Sequence, residues 1–531
     1  MSLVKKFATV GGATLGSRLF GFARETLMAA ALGTGPMADI FYAAFRFPNL
    51  FRRLFAEGAF NAAFVPLFSK EIEAHGVEGA KRFSEEVFGV LFSALLVITI
   101  GMQLSMPLLV RWIIAPGFAD DPEKTAITVR MAIVMFPYLM CMSLTAMMSG
   151  MLNSLHHFFA AAIAPVFLNV IMISALIYAL WSGADPLTTG WYLSWSVLAA
   201  GLVQLAIVYF GVRHAGIRIG FRRPKMTPNV KRLLVLAIPA AVTGGITQIN
   251  QIIGQAIASG KEGAIAALQY ADRIYQLPLG VVGVAVGVVL LPELSRALKS
   301  GNMKEAGNIQ NRSLEFVLFL TLPAAVGIWI LSEPIIRVLY ERGAFNADNT
   351  AVVASILAIY GLGLPGFVLI KALQPGFYAR EDTKTPMRFT MLSVAVNSAL
   401  AISLFPLIAE RGIATAEVAA GWINTLLLFF TLWRRGNLQW EWPLARRIFL
   451  LIVSAAVMAA ALLYAQSHAA AYLLPGTSFL IKLAALFGLI GIAMLVYFTT
   501  AFLIGGADLG MLRRNLKRRR AAPAKPEDDQ Q

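Results

Sequence analysis

Residues Asp39 to Lys70 read DIFYAAFRFPNLFRRLFAEGAFNAAFVPLFSK, and the rest of the chain is organised around them. The stretch is apolar enough to lie in a bilayer, yet it holds Asp39, Arg46, Arg52, Arg53 and Glu57. Pro48 removes a backbone donor at its middle, which kinks a helix that continues through it. At about 100° per residue, Tyr42, Arg46, Asn49 and Arg53 share one face, while Arg52 points to an adjacent one. A charge at the centre of a lipid-facing helix costs roughly 2.5–3.5 kcal/mol, so these groups belong on a bundle interior or a watery cavity. Snorkelling, or pairing of Arg53 with Glu57 one turn on, is the alternative.

The preceding apolar segment, GGATLGSRLFGFARETLMAAALG, repeats the pattern with Arg18, Arg24 and Glu25. Arg18 and Arg24 are six residues apart, so they diverge by roughly 120° around a helix, which suits the rim of a wide cavity.

Composition bounds the class. Of 531 residues, 58% are hydrophobic and only 14% charged, which fits a polytopic membrane protein. The formal net charge of +16 raises nucleic-acid binding. The basic residues fall in short connections between apolar runs, however, which is the pattern of membrane topology. One cysteine, Cys141, and five histidines without ligand spacing imply neither a disulfide framework nor a metal site. The opening apolar run carries arginines and lacks a convincing cleavage site, so no cleavable signal peptide is expected.

Runs long enough to cross ~30 Å of hydrocarbon recur about fourteen times. They lie near 8–32, 38–68, 83–112, 126–151, 157–181, 189–211, 232–258, 264–296, 313–332, 349–377, 386–408, 412–433, 447–466 and 479–504. The connections around Lys70–Arg82, Arg213–Arg232, Arg296–Arg312, Arg380–Arg388 and Arg434–Arg447 are basic, and the alternate ones are poor in Lys and Arg. Both termini are therefore expected in the cytoplasm.

Landmarks recur at one interval. VPLFSK around Pro66 is echoed by LPELSR around Pro292, and MPLLVRWIIAPGF by EPIIRVLYERGAF, with Gly117 answering Gly343; both pairs stand 226 residues apart. The expected organisation is an all-α polytopic membrane protein. Two six-helix lobes, 1–225 and 226–440, surround a central cationic cavity, with two extra helices in 441–510 and a basic tail in 511–531 that can meet anionic headgroups. The second lobe adds LQYADRIYQLP, which carries Asp272, Arg273 and Gln276. A neutral Asp–Arg pair is the alternative reading of Asp272.

No P-loop, Gly-x-Ser-x-Gly, HExxH or external acidic cluster is present in the sequence, so an enzyme is not expected, nor a cofactor or metal. Arginine suits a bidentate grip on phosphate oxygens. The cavity thus points to a phosphate-bearing anion, and its place in the bilayer to one with a lipid tail.

The segments GSRLFGFARE, FRFPNLFRRLFAEGAFNAAFVP, APGF, QYADRIYQLPLGVVGVAVGVVLLPELS and QPGFYAREDTKTP together resemble the MurJ (MviN) family over essentially the whole chain. These are lipid II flippases of the multidrug/oligosaccharidyl-lipid/polysaccharide exporter superfamily. The resemblance implies export of an undecaprenyl-pyrophosphate-linked peptidoglycan precursor across the bacterial cytoplasmic (inner) membrane by alternating access, for cell-wall biogenesis. It implies lipid II as cargo, membrane lipids as surroundings, and cell-wall synthesis or division machinery as partners. It carries the family's cavity charges onto Arg18, Arg24, Asp39, Arg52 and Arg273, with Asn49, Arg53 and Glu57 in the same motif. Arg46 stands where some relatives have lysine, and Gln276 where relatives can carry an acid. The resemblance also makes the last two segments a groove for the lipid tail. Exporters of another polyprenyl-linked oligosaccharide or of drugs are rivals; a membrane glycosyltransferase or a cell-wall scaffold is a more distant one. A cation exporter calls for acids where this chain has arginines.

Overall fold

The computed structural model describes residues 3–54, 60–438, 441–474 and 476–506. Glu57 lies outside the described residues, and so do the tail and the end of the 441–510 segment. Among the described residues the chain is all-helical, with sixteen α-helices and no strand. In order they are α1 (Leu3–Leu32), α2 (Pro36–Leu54), α3 (Phe60–Leu109), α4 (Pro122–Met135), α5 (Tyr138–Ser154), α6 (Phe158–Ile163), α7 (Val166–Ser182), α8 (Pro186–His214) and α9 (Pro228–Ala258). There follow α10 (Ala264–Lys299), α11 (Met303–Tyr340), α12 (Ala347–Tyr378), α13 (Lys384–Ile408), α14 (Glu410–Arg434), α15 (Trp442–Ala469) and α16 (Phe479–Leu503).

Several helix starts follow from a single dipeptide pattern. Asp121-Pro122, Asp185-Pro186 and Thr227-Pro228 each put a capping side chain before a proline that has no N–H to satisfy. Asp121 accepts from Lys124 N at 2.9 Å, Asp185 from Leu187 N at 3.1 Å, and Thr227 from Val230 N at 3.4 Å. Proline also ends helices, since α4 stops just before Pro137 and α6 just before Pro165.

Nine helical stretches among the described residues are long and apolar enough to cross a membrane. They cover the expected runs at 83–112, 126–151, 189–211 and all six from 313 onward. The described residues of the other five expected runs are largely helical too, but these runs carry charged or polar residues, or are split as α6 and α7 are. One expectation is corrected, while the middle of the run 38–68 lies outside the described residues, between α2, described to Leu54, and α3, described from Phe60. The basic connection Lys70–Arg82 is helical except at Gly76, whose φ of 67° and ψ of −169° break α3 into two arms. Pro48 lies inside α2, which continues through it.

Two compact units emerge. The first comprises Met1–Ile274, Leu339–Ile356 and Thr390–Ala420. At its core the arms of α3 fold back at Gly76. Phe64 stacks on Phe60 and Phe68 of its own arm and on Phe83 of the other, with ring centroids 5.3, 5.6 and 5.5 Å apart. Met147 and Met151 of α5 and Val208 and Val212 of α8 close over these rings. In lipid such packing stabilises through van der Waals fit more than through exclusion of water.

The second unit comprises Tyr275–Val338, Leu357–Phe389 and the residues from Gly421 onward. Leu451, Met458 and Leu462 of α15 pack with Leu486, Leu489 and Tyr497 of α16 and Leu331 of α11. Arg447 donates from Nη1 to both oxygens of Glu315, at 3.1 and 2.9 Å, and so ties α15 to α11. The turn after α12 is pinned by Asp382, which accepts from Arg435 Nη1 at 2.7 Å and from Thr385 N at 3.0 Å.

Those bonds hold the Asp382 carboxyl down at about 2. A depressed carboxylate stabilises the fold fully above its unfolded pKa, about 3.9, and loses that contribution as pH falls through about 2. Asp382→Asn is therefore expected to lower thermal stability by the same amount at pH 5 and pH 8. The difference from wild type should shrink only below about pH 4, as read from melting in detergent. A gap that closes between pH 8 and pH 5 would assign the stabilisation to another group.

Candidate functional site

The arginines of α1 and α2 fall into two groups, both in the first unit. The first gathers on α1. Gly21 has no Cβ, and a Cβ there would overlap Nη2 of Arg273, so the glycine lets that guanidinium lie against the helix. Arg24, with 14% of its side chain exposed, donates from Nη1 to Asn169 Oδ1 at 3.0 Å and from Nη2 to Glu25. Asn169 of α7 donates in turn to the Ser17 carbonyl at 3.2 Å, which fixes its amide orientation. Glu25 is 1% exposed, accepts from the Tyr42 hydroxyl with its other oxygen, and is near enough to Arg273 to feel its charge. Tyr42 meets Tyr270 edge-on with centroids 5.9 Å apart, and Tyr270 packs on Tyr340 at 5.3 Å.

The second group lies between α2 and α9. Arg46 donates through Nε to Gln255, and Arg53 through Nη1 to Gln251 at 3.4 Å. Arginines seven residues apart meet glutamines four apart, as antiparallel neighbours allow. Gln255 is 4% exposed and spends its amide on the Ile114 carbonyl at 3.2 Å. A glutamine oxygen positions a guanidinium without cancelling its charge. Arg52 donates to Asn49 Oδ1 on its own helix, at 3.1 Å. Arg18 is exposed on α1 and has no partner among the described residues.

Asp39 sits apart from both groups in its bonding. It is fully buried, and its oxygens accept from the amides of Gly263, at 2.6 Å, and Ala266, at 2.9 Å. These are orphan donors at the start of α10, where a carboxylate is favoured by both the free N–H groups and the helix dipole. Asp272 and Arg273 are adjacent and half-buried on α10.

Sequence reading left two charges out of the candidate site. Glu25 is named in the first apolar segment as an acid beside an arginine, but without a role. Lys371 of α12 was the single lysine in GLPGFVLIKALQPG. In the second unit it is exposed and lies along Gly283 of α10, where a Cβ would stand 3.0 Å from its Nζ. It has no ion-pair partner among the described residues.

The arrangement is a set of guanidinium groups on membrane helices, aimed by one buried carboxylate and several amides. No group of three or more His, Cys, Asp or Glu that could hold a metal occurs among the described residues. Such a set can grip a multivalent oxyanion and release it when the helices move apart.

A family model described as "Lipid II flippase MurJ" matches residues 28–484. The probable lipid II flippase MurJ of Rhizobium tropici is 77% identical over 524 residues, covering 99% of this chain and 98% of that protein. The lipid II flippase MurJ of Burkholderia cenocepacia is 36% identical, over 87% and 90% of the two chains. A solved lipid II flippase MurJ in an inward closed conformation superposes with a TM-score of 0.76 at 25% identity, over 93% and 98%. An inward-facing multidrug resistance MATE family transporter of the MOP superfamily shares the fold alone, with a TM-score of 0.67 at 15% identity over 79% and 94%. The chain belongs to the MurJ family of lipid II flippases.

Proposed function

We propose that this chain carries lipid II, the undecaprenyl-pyrophosphate-linked peptidoglycan precursor, from the inner to the outer leaflet of the cytoplasmic membrane. It is a multi-pass transporter of the inner membrane rather than an enzyme. The observation that carries the reading is the α1 group, in which Arg24 and Arg273 converge on the buried Glu25 within membrane helices. In this reading Arg18, Arg24, Arg52 and Arg273 take the pyrophosphate and the sugar-peptide headgroup, with Arg46 and Arg53 supplying field. Asn49 orients Arg52. Glu57 and Asp272 exchange partners between states, while Asp39 closes one end.

Both termini face the cytoplasm, and the halves 1–225 and 226–440 rock about their boundary to expose the cavity to each side in turn. The helices α15 and α16 hold the lipid tail. The same cations suit any polyprenyl pyrophosphate, so the test must resolve the cargo. In vesicles containing lipid II, purified protein is expected to make the outer-leaflet headgroup accessible to an impermeant modifying enzyme. A polyprenyl-linked oligosaccharide without the peptide should move more slowly. Equal rates for the two would identify a general polyprenyl exporter, and no movement of either would refute the reading.

A further inference from the structure

The interval of 226 residues that relates Gly117 to Gly343 also relates Gly33 to Ser259. Gly33 follows α1 and Ser259 follows α9, so these are equivalent turns of the two sequence halves. Each later turn docks on the earlier turn of the opposite half, and all four lie in the first unit. In one arm Gly117 N donates to Ser259 Oγ at 2.9 Å, and a Cβ on Gly117 would overlap the Ser259–Gly260 peptide. In the other, Ala344 N donates to the Ala30 carbonyl at 2.8 Å. A Cβ on Gly343 would overlap that same carbonyl oxygen, and one on Gly33 would stand 2.6 Å from Ala344 O. Both arms bring main chain against main chain, where no side chain can swing aside to make room. Neighbouring bonds brace them. Asn349 Nδ2 donates to Thr34 Oγ1 at 2.6 Å, and the Tyr270 hydroxyl to the Gly33 carbonyl at 2.9 Å.

We propose that these two arms form a reciprocal latch, exchanged between equivalent turns of the two halves, which closes the Lys- and Arg-poor side and opens only when both arms release. The proposal rests on the alternating-access reading above. Halves related by a pseudo-two-fold axis that rock as rigid bodies separate equivalent contacts together, so neither arm can open alone. The arms themselves consist of neutral hydrogen bonds and close approach, with no ion pair among the described residues, and the Asp39 carboxylate accepts from Gly263 N and Ala266 N beside them. Such contacts are individually weak in net terms, which suits a closure that is broken in every cycle. The repeated glycines are thus fixed by the partner half, beyond the needs of their own turns.

The four positions separate the causes. Gly33 and Gly343 have positive φ, 57° and 60°, so alanine there adds backbone strain to the clash. Gly117 has no positive φ, and alanine there tests close approach alone. Gly183 has a φ of 65° but nothing within 4 Å of its would-be Cβ, and it serves as the control for strain.

The experiment uses full-length protein in nanodiscs without lipid II, with the buried Cys141 changed to serine. Spin labels at Leu187→Cys and Asp348→Cys report the distance between the two halves by pulsed electron paramagnetic resonance. Gly117→Ala and Gly343→Ala are each expected to raise the longer-distance population about tenfold, the scale of one overpacked methyl. Gly183→Ala should leave it unchanged. Ser259→Ala, which removes a hydroxyl and adds no bulk, should shift it in the same direction by less, and it stands in if a glycine variant fails to accumulate. A disulfide between Ala30→Cys and Ala344→Cys should hold the short distance and stop lipid II flipping, with reduction restoring both. Unchanged distances in Gly117→Ala, Gly343→Ala and Ser259→Ala would remove the latch, and a response from one arm alone would remove its reciprocity. Distances that respond while lipid II never moves would strike the cargo assignment and leave the latch standing.

Discussion

Arg273→Ala is expected to abolish complementation of a depleted strain at native expression, while the protein still accumulates in the membrane. Arg273 packs into the space left by Gly21 and is not bonded into the helix framework as Arg24 is, so its loss should spare the fold. Losing one desolvated charged contact to the cargo costs about 2–5 kcal/mol, or about thirty-fold to a few thousand-fold in affinity. Lysine at 273 keeps the charge but not the fork and should restore only part of the function. Arg24→Ala should behave differently, because it strips one partner from Glu25, a carboxylate only 1% exposed. Breaking a buried pair costs about 3–5 kcal/mol, so the amount of protein should fall together with transport. Glu25→Gln added to Arg24→Ala should recover the protein level but not transport, as measured by membrane immunoblot and by headgroup accessibility. If the double variant transports normally, Arg24 serves to neutralise Glu25 and does not grip cargo.

Much of this site could be read from periodicity. Arg46 and Arg53 share a face because seven residues make about two turns, and both reach α9. Arg52, one position off that face, turns to Asn49 instead. The partners were not legible, since Gln255 and Gln251 lie about two hundred residues away and no local pattern marks a glutamine as an acceptor. The pairing of Glu25 with Arg24 was not legible, because neighbours in a helix point about 100° apart and rarely face each other. The Arg24 side chain is long enough to reach around that angle. Asp39 stood in the arginine stretch and read as part of it, but it lies near the start of α2 and meets the amides that begin α10. The long apolar helices were legible throughout. The break at Gly76 was less so, because a glycine inside such a run does not say whether tertiary packing will stop the helix there.

Collapse of the membrane potential is expected to stop transport even when the pH and sodium gradients are held. A pyrophosphate headgroup carries roughly two negative charges, and each is worth about 2.3 kcal/mol per 100 mV, so outward passage gains roughly 4–5 kcal/mol from an interior-negative membrane. Loading works against this gain, because the arginines neutralise the cargo and the loaded cavity feels little of the field. The stronger effect falls on the empty protein. Arg46 and Arg53 are held by glutamine oxygens, and Arg18 has no partner among the described residues. In the proposed reading the arginines of the site outnumber its acids, so an emptied cavity is cationic, and an interior-negative potential draws it back toward the cytoplasmic side. In this reading the potential resets the carrier, a task that otherwise calls for nucleotide hydrolysis or a coupled ion. With potassium and valinomycin setting the voltage, headgroup accessibility should rise with the potential. At zero potential the spin-labelled empty protein should show the long Leu187–Asp348 distance more often. Neutralising Arg46 and Arg53 to glutamine should flatten both dependences. Transport that ignores the voltage and stops only when the sodium or pH gradient is removed would make a coupled ion the driver, and the arginines would then serve cargo binding alone.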